Sequence, residues 1–331
     1  MKKAIKIGAV EIVDPVILAP MSGVTDLPFR KLVKKEGAGL VVSEMIASQA
    51  MINANRKTLK MASNCAEEFP MAVQLAGCDP KIMAEAAKLN EDRGAAIIDI
   101  NMGCPAKKVV NGYAGSALMR EEDKAARIME ATVKAVSLPV TLKMRTGWDD
   151  NNRNAPRLAK IAQETGIQMI TVHGRTRCQF YNGRSDWDFI ARVKEAVKLP
   201  VIANGDIQTF KDVEEVLVKS GADGVMIGRG AYGRPWFLKQ VMDFLKTGKT
   251  KPVPPLQRQY SLIRSHYEEM LLHYGELAGM RMARKHLGWY TKGLPKSAEF
   301  RAKVNSISDP KGVVALIESY FDGLFEQGMA A

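Results

Sequence analysis

The sequence predicts an α/β protein: a (β/α)8 TIM barrel followed by a C-terminal helical bundle. Three observations carry this prediction. Eight short apolar runs recur over the first 230 residues, helical patterns separate most of them, and no strand-like run returns after a stretch rich in proline and lysine at 246–259.

The runs are VILAPM (16–21), LVVSEM (40–45), MAVQLA (71–76), IIDINM (97–102), VTLKMR (140–145), MITVHG (169–174), VIANGD (201–206) and GVMIGR (224–229). Each has the β-branched character of a short buried strand. Intervening stretches such as DPKIMAEAAKLNEDRG and RLAKIAQETG have helical spacing and end in glycine, as helices often do. The rival is a doubly wound open sheet. The count of eight and the lack of a GxGxxG turn after the first run disfavour it. These signals divide the chain into a barrel over 1–245, a linker over 246–259 and a helical domain over 260–331. The last is read from YSLIRSHYEEMLLHYG, MRMARKHLGWYTKG and PKGVVALIESYFDGLFEQ.

Composition narrows the classes. Of 331 residues, 46% are hydrophobic and 25% charged, as in an ordinary globular protein. No stretch approaches the roughly 20 apolar residues of a membrane span. The start, MKKAIKIGAVEIVD, is basic, but Glu11 and Asp14 interrupt any signal-like apolar core. Cys65, Cys78, Cys104 and Cys178 form no CxxC pair, which argues against a metal site and a disulfide framework, and the expected compartment is a reducing cytoplasm. The net charge of +12 points to a polyanionic partner, although solubility alone would also account for it. Residues 246–331 contribute +5 of it, and Arg281 to Lys303 hold seven basic residues against Glu299.

Strand periodicity locates a site. Successive side chains of a strand face opposite sides, and the outside of a barrel must be apolar to meet its helices. In VTLKMR, Val140, Leu142 and Met144 suit that outer side, so Thr141, Lys143 and Arg145 face the axis. The same parity turns Thr171, His173 and Arg175 inward, then Ile202, Asn204 and Asp206, with Gln74 and Asn101 on earlier strands. These groups fall near the C-terminal strand ends, where barrel enzymes keep their active sites. Any one of them could be a satisfied barrel residue, but agreement across five strands points to a polar ligand. The turns Asn204-Gly205-Asp206 and Gly228-Arg229-Gly230 follow runs seven and eight, where barrels frequently bind phosphate. That feature alone is shared with aldolases and isomerases.

APMSGVTDLPFR (19–30), SEM (43–45), QLAG (74–77), NMGCPAKKV (101–109), AGSALM (114–119), KMRTGW (143–148), HGRTR (173–177), NGDI (204–207), GRGAYGRPW (228–236) and GMRMARKHLGWY (279–290) together resemble the motif series of the tRNA-dihydrouridine synthases, most of all the bacterial B type. The resemblance implies FMN in the barrel, NADPH as reductant and a uridine of the tRNA D-arm as substrate. Hydride adds to C6 of the uracil and C5 takes a proton, a step that needs a positioned acid. Cys104 resembles the family's proton donor, and an ordinary thiol is mostly protonated at neutral pH.

The resemblance also matches Lys143 to a contact at the pyrimidine end of the flavin, and Gln74 and the Pro20–Met21–Ser22 backbone to other ring contacts. Asn204, Gly205, Asp206, Gly228 and Arg229 correspond to ribityl and phosphate contacts, and His173 joins that set or touches the uracil. Asn101, Arg145, Arg175 and Arg177 are expected near the substrate. Cys65, Cys78 and Cys178 are expected to be uninvolved. In the tail, Arg281, Arg284 and Lys285 fall at i, i+3 and i+4 on one helix face, with Trp289, Tyr290 and Lys292 following, an arrangement suited to phosphate contacts and base stacking on tRNA. A solvated basic helix face would look similar. Two other classes remain open at this point: a flavin barrel acting on a small molecule, and an RNA-binding protein without catalysis.

Overall fold

The computed structural model describes residues 4–53, 56–62 and 66–327. Strands β1 (Ile5–Ile7) and β2 (Val10–Ile12) form an antiparallel hairpin. The remaining strands are β3 (Val16–Leu18), β4 (Leu40–Val42), β5 (Ile46–Ala47), β6 (Met71–Ala76), β7 (Ile97–Met102), β8 (Val140–Arg145), β9 (Ile170–His173), β10 (Val201–Asn204) and β11 (Gly224–Ile227). They pair in parallel, and the contacts of β11 with β3 and of β4 with β6 close eight of them into a barrel, the predicted fold. β5 extends the edge of β6.

Three of the expected runs coincide residue for residue with β6, β7 and β8, while others end early. The run 40–45 breaks after Val42 because Ser43 offers the backbone an alternative partner. Its hydroxyl accepts the Gln74 N–H at 3.0 Å and donates to the Glu44 carbonyl at 2.9 Å.

The predicted alternation holds. Val140, Leu142 and Met144 pack outward into the main core, where the helices lie. The inward side divides into two halves. At the N-terminal end, Ile17, Leu40, Val42, Ala72, Ile97, Ile202 and Met226 meet Ile5, Ile7 and Ile12 of the hairpin in a separate apolar cluster. The hairpin thus plugs the bottom of the barrel, leaving the C-terminal end as the accessible one.

Around the strands run α1 (Leu27–Lys35), α2 (Ser48–Ile52), α3 (Arg56–Met61), α4 (Pro80–Asp92), α5 (Lys107–Asn111), α6 (Glu122–Ala135), α7 (Ala155–Glu164), α8 (Trp187–Ala196), α9 (Phe210–Ser220) and α10 (Phe237–Thr247). The tail holds α11 (Leu256–Tyr274), α12 (Glu276–Tyr290), α13 (Ser297–Ser306) and α14 (Pro310–Glu326). Gly248, with φ of 69°, ends α10, and Pro255 precedes α11. The extended connection is therefore 248–255, shorter at both ends than the expected 246–259. Among the described residues no helix is long and apolar enough to cross a membrane.

The tail has its own core, with Tyr267, Met270, Met280, Leu287, Ile317 and Phe321 buried in it, and it docks on the barrel through α1. Phe29 packs between His266 and His286, with ring centroids at 5.7 and 5.2 Å. Tyr232 stacks on Trp289 at 4.0 Å, and a Cβ on Gly233 would lie 2.3 Å from the Trp289 carbonyl oxygen, so the two backbones meet there. Asp26 caps α1 by accepting the Phe29 N–H at 3.1 Å, and its other oxygen accepts the Tyr274 hydroxyl of the tail at 2.9 Å.

Burial pushes the Asp26 carboxyl up to about 6, although the bonds from Phe29 and Tyr274 oppose the shift. The folded state therefore binds this proton more tightly than the unfolded chain, and the contribution of Asp26 to stability falls as pH rises from about 4 to 6. Asp26→Asn keeps the cap through its amide oxygen, turns its NH2 group to donate to the Tyr274 oxygen, and removes the titration. Relative to the parent, the variant should gain stability between pH 4 and 7.5, by at most about 3 kcal/mol. Chemical denaturation at both pH values measures this, and an equal difference at the two would contradict it.

Candidate active site

A cavity of about 620 Å³ opens at the C-terminal mouth of the barrel. That size suits a cofactor or small-molecule site. All the residues expected to hold a cofactor line it: Pro20, Met21, Ser22, Gln74, Lys143, His173, Asn204, Gly205, Asp206, Gly228 and Arg229. So do Cys104, Asn101 and Arg145. Its apolar lining includes Ala19, Met21, Met45 and Met226 alongside the polar groups.

These polar groups come from the inward parity of β6 to β10. The Lys143 ammonium donates to Asn204 Oδ1 at 3.1 Å, and Asn204 Nδ2 donates to the Met226 carbonyl at 2.8 Å, which fixes the orientation of that amide. Burial first, then the neighbouring Arg145, lower the Lys143 ammonium to about 8, with Asp99 acting in the opposite direction. His173 is held neutral at pH 7, because it is buried and then faced by Lys143, Arg145, Arg175 and Arg229. Gly205 adopts φ of 112°, and a Cβ there would lie 2.5 Å from the His173 ring. Only glycine fits that turn.

Cys104 sits at the rim, partly exposed, in the turn after β7. Three neighbours hold that turn. Asn101 Oδ1 accepts the N–H groups of Gly103 and Cys104 at 3.2 and 2.9 Å. Ser116 donates its N–H and its hydroxyl to the Cys104 carbonyl at 3.2 and 2.8 Å, and Arg145 Nε donates to the Gly103 carbonyl at 2.8 Å. Gly115, with φ of 60°, lies so close that a Cβ would be 2.9 Å from the Cys104 carbonyl oxygen. The spacing between NMGCP and GSAL is thus the reach of one segment onto the other.

The dihydrouridine synthase (Dus) family model matches residues 17–324. The chain belongs to the dihydrouridine synthase family. It is 60% identical over 324 residues to a probable tRNA-dihydrouridine synthase of Rickettsia bellii, spanning 98% of this chain and 99% of that one. It is 52% identical to tRNA-dihydrouridine synthase B of Xanthomonas axonopodis pv. citri and 47% identical to that of Pseudomonas aeruginosa, each over 96% of both chains. A solved 2-naphthoyl-CoA reductase in complex with 2-naphthoyl-CoA shares the fold, with a TM-score of 0.56 at 13% identity. The match covers 73% of this chain and about half, 52%, of that one.

In this dihydrouridine synthase family member, several expected substrate contacts are instead used within the protein. Arg175 is buried and does not line the cavity. Its guanidinium donates to both Asp206 oxygens at 2.9 and 2.5 Å and to the carbonyls of Asn182 and Gly183 at 3.0 and 2.7 Å. Asp206 also accepts from Ser185 N–H and Arg229. Partial burial raises the Asp206 carboxyl, but the Arg175 and Ser185 bonds override this and hold it below the usual range. Arg145 does line the cavity, yet its donors are largely taken by Gly103, Thr176 and Phe180 carbonyls. Arg177 lies outside the cavity, stacked 4.6 Å from the Trp148 ring.

The tail face of Arg281, Arg284 and Lys285 is similarly divided. Arg281 is exposed, but Arg284 donates to the Ile307 carbonyl at 2.8 Å and Lys285 donates to the Gly23 carbonyl of the barrel. Trp289 is covered by Tyr232, and Tyr290 is buried with its hydroxyl 2.9 Å from His266 Nδ1, so neither is free to stack on a base. Helical spacing placed the three cations on one side of α12, but could not say that the barrel and α13 would occupy most of it. Cys78 and Cys178 lie away from the cavity, and Cys65 falls outside the described residues.

Two groups escaped the sequence reading. Asp99 shares the inward parity of Asn101 in IIDINM, so the signal was present. Tyr181, 57% exposed at the cavity rim with the Arg145 and Arg229 guanidiniums 5.7 and 5.0 Å from its ring, lies in an irregular loop where no periodicity exists. If Arg175 and Asp206 act as one buried unit, Asp206→Asn should cost about 3 kcal/mol. Combining it with Arg175→Met should cost less than the two single changes added together. Urea denaturation of the three variants measures this, and simple additivity would show the pair to be uncoupled.

Proposed function

We propose that this chain reduces a uridine in the D-arm of tRNA to 5,6-dihydrouridine, in the cytoplasm, with FMN as bound cofactor and NADPH as reductant. The observation that carries the reading is that Cys104, the Lys143–Asn204 pair and two glycine turns line one cavity. The cavity fits FMN on its own terms. Ala19, Met21, Met45 and Met226 offer apolar surface to a flat ring, and Lys143 and Asn204 offer polar groups to the ring edge. Arg229 and the turns Gly205–Asp206 and Gly228–Gly230 would receive the phosphate, with the Asp206 carboxylate neutralised by Arg175 and Arg229.

When bound, FMN supplies the hydride that reaches C6 of the uracil, with NADPH as its source. The protein supplies the rest. Lys143 and Gln74 orient the ring, and the Cys104 thiol gives its proton to C5 from a turn held by Asn101, Ser116 and Arg145. Arg281 and the exposed Lys292, Lys296, Arg301 and Lys303 are the tail cations best placed for phosphate contacts, consistent with the net charge of +12.

Cys104→Ala tests the chemistry. The purified variant should keep its yellow colour and still oxidise NADPH, yet lose about 100-fold or more in dihydrouridine formed on tRNA. Flavin absorbance, NADPH consumption and nucleoside mass spectrometry read the three quantities, and wild-type dihydrouridine yield would remove Cys104 from the role. For the RNA surface, Arg281→Ala should weaken tRNA binding and flatten the salt dependence by about one phosphate contact. An unchanged slope in a filter-binding salt series would place the contact elsewhere.

A further inference from the structure

Beneath Cys104 the barrel holds a continuous chain of buried polar side chains. Thr141 Oγ1 donates to Asp99 Oδ1 at 2.6 Å, and Gln74 Nε2 donates to Asp99 Oδ2 at 2.7 Å. Asn101 Nδ2 donates to Gln74 Oε1 at 2.7 Å, and Asn101 Oδ1 receives the N–H groups of Gly103 and Cys104. All four side chains are buried. The strand register makes this possible, because Gln74 lies opposite Asp99, and Asp99 opposite Thr141.

A side-chain amide can be inserted either way round, so a chain of two amides has no direction of its own. Here both ends impose one. At the base, the Asp99 carboxyl accepts from both the Thr141 hydroxyl and the Gln74 NH2 group, bonds that oppose the upward push of burial on its proton affinity, and this turns the Gln74 oxygen upward. At the top, backbone N–H groups can only donate, which requires the Asn101 oxygen to face the turn. The two requirements agree. We infer that Asp99 is a positioning residue for Cys104: its carboxylate sets the direction of the Gln74 and Asn101 amides and so holds the Gly103–Cys104 turn at the cavity rim. The bearing on catalysis rests on the reading of Cys104 as proton donor; the positioning itself does not.

Hydrogen–deuterium exchange of the purified full-length protein tests this, comparing variants at equal flavin occupancy. Asp99→Asn is nearly isosteric but no longer imposes a direction. The amides of Gly103 and Cys104, followed in a peptide spanning 101–106, should exchange about fivefold faster or more, with peptides from β8 and β10 unchanged. Adding Gln74→Glu moves the carboxylate one link up the chain, where it can accept from the side-chain amides on both sides. The double variant should return to within about twofold of the parent. A general packing defect would leave the double variant at least as perturbed as the single one. Exchange at parental rate in Asp99→Asn, or no recovery in the double variant, overturns the inference. Should Asp99→Asn not fold, Gln74→Met cuts the middle link and should give the same local acceleration; unchanged exchange there overturns it equally. In a tRNA assay Asp99→Asn should lower kcat with KM unchanged. If the parent itself forms no dihydrouridine, the functional reading fails while the exchange result still decides the role of Asp99.

Discussion

The inside of an eight-stranded barrel is a narrow column filled by side chains, and each residue turned into it must be apolar or find hydrogen-bond partners there. This molecule resolves the constraint by dividing the column. Isoleucines of the β1–β2 hairpin close the lower half against Ile17, Leu40, Ile97 and Ile202. Above that apolar floor, Thr141, Asp99, Gln74 and Asn101 satisfy one another, and Lys143 pairs with Asn204. The cavity exists because the polar half is not filled to the top. Its shape therefore depends on how completely the residues below it are bonded.

Guanidinium groups do for the loops what ladders do for the strands. The segment after β9 has no strand of its own, yet Arg145 gathers the carbonyls of Thr176 and Phe180 while Arg175 gathers those of Asn182 and Gly183. Arg145 also reaches the Gly103 carbonyl, tying that loop to the turn carrying Cys104. Arg30 of α1 acts similarly, paired with Glu68 and bonded to the Thr25 carbonyl. A planar group with several fixed donors can hold several carbonyls at once, which an ammonium cannot match. Much of the positive charge that reads as a binding surface in one dimension is therefore structural in three.

The tail takes part in the same organisation. Gly23 follows the Pro20–Ser22 segment that lines the cavity. Its N–H donates to Glu44 at 2.5 Å, while its carbonyl receives the Lys285 ammonium from α12. Tyr274 reaches Asp26 three residues further on. The helical domain thus braces one wall of the cavity as well as presenting cations to solvent.

Local rules were enough to determine the barrel, its order of strands and the inward residues, because a two-residue period and an apolar exterior leave each strand one orientation. Lys143, His173 and Asn204 were legible on that basis, and Asp99 was legible by the same rule, whereas Cys104 stood out only through the family resemblance of its NMGCP turn. The motif glycines identified their turns because few other residues tolerate those backbone angles. What only the tertiary structure decided was which polar groups are already used. Arg175, Arg284, Lys285 and Trp289 have partners distant in sequence or across the barrel–tail contact, and no periodicity records such a pairing. The hairpin plug was hidden for the same reason: two three-residue strands carry too little pattern to be seen alone, and their isoleucines gain meaning only where the barrel leaves a space for them.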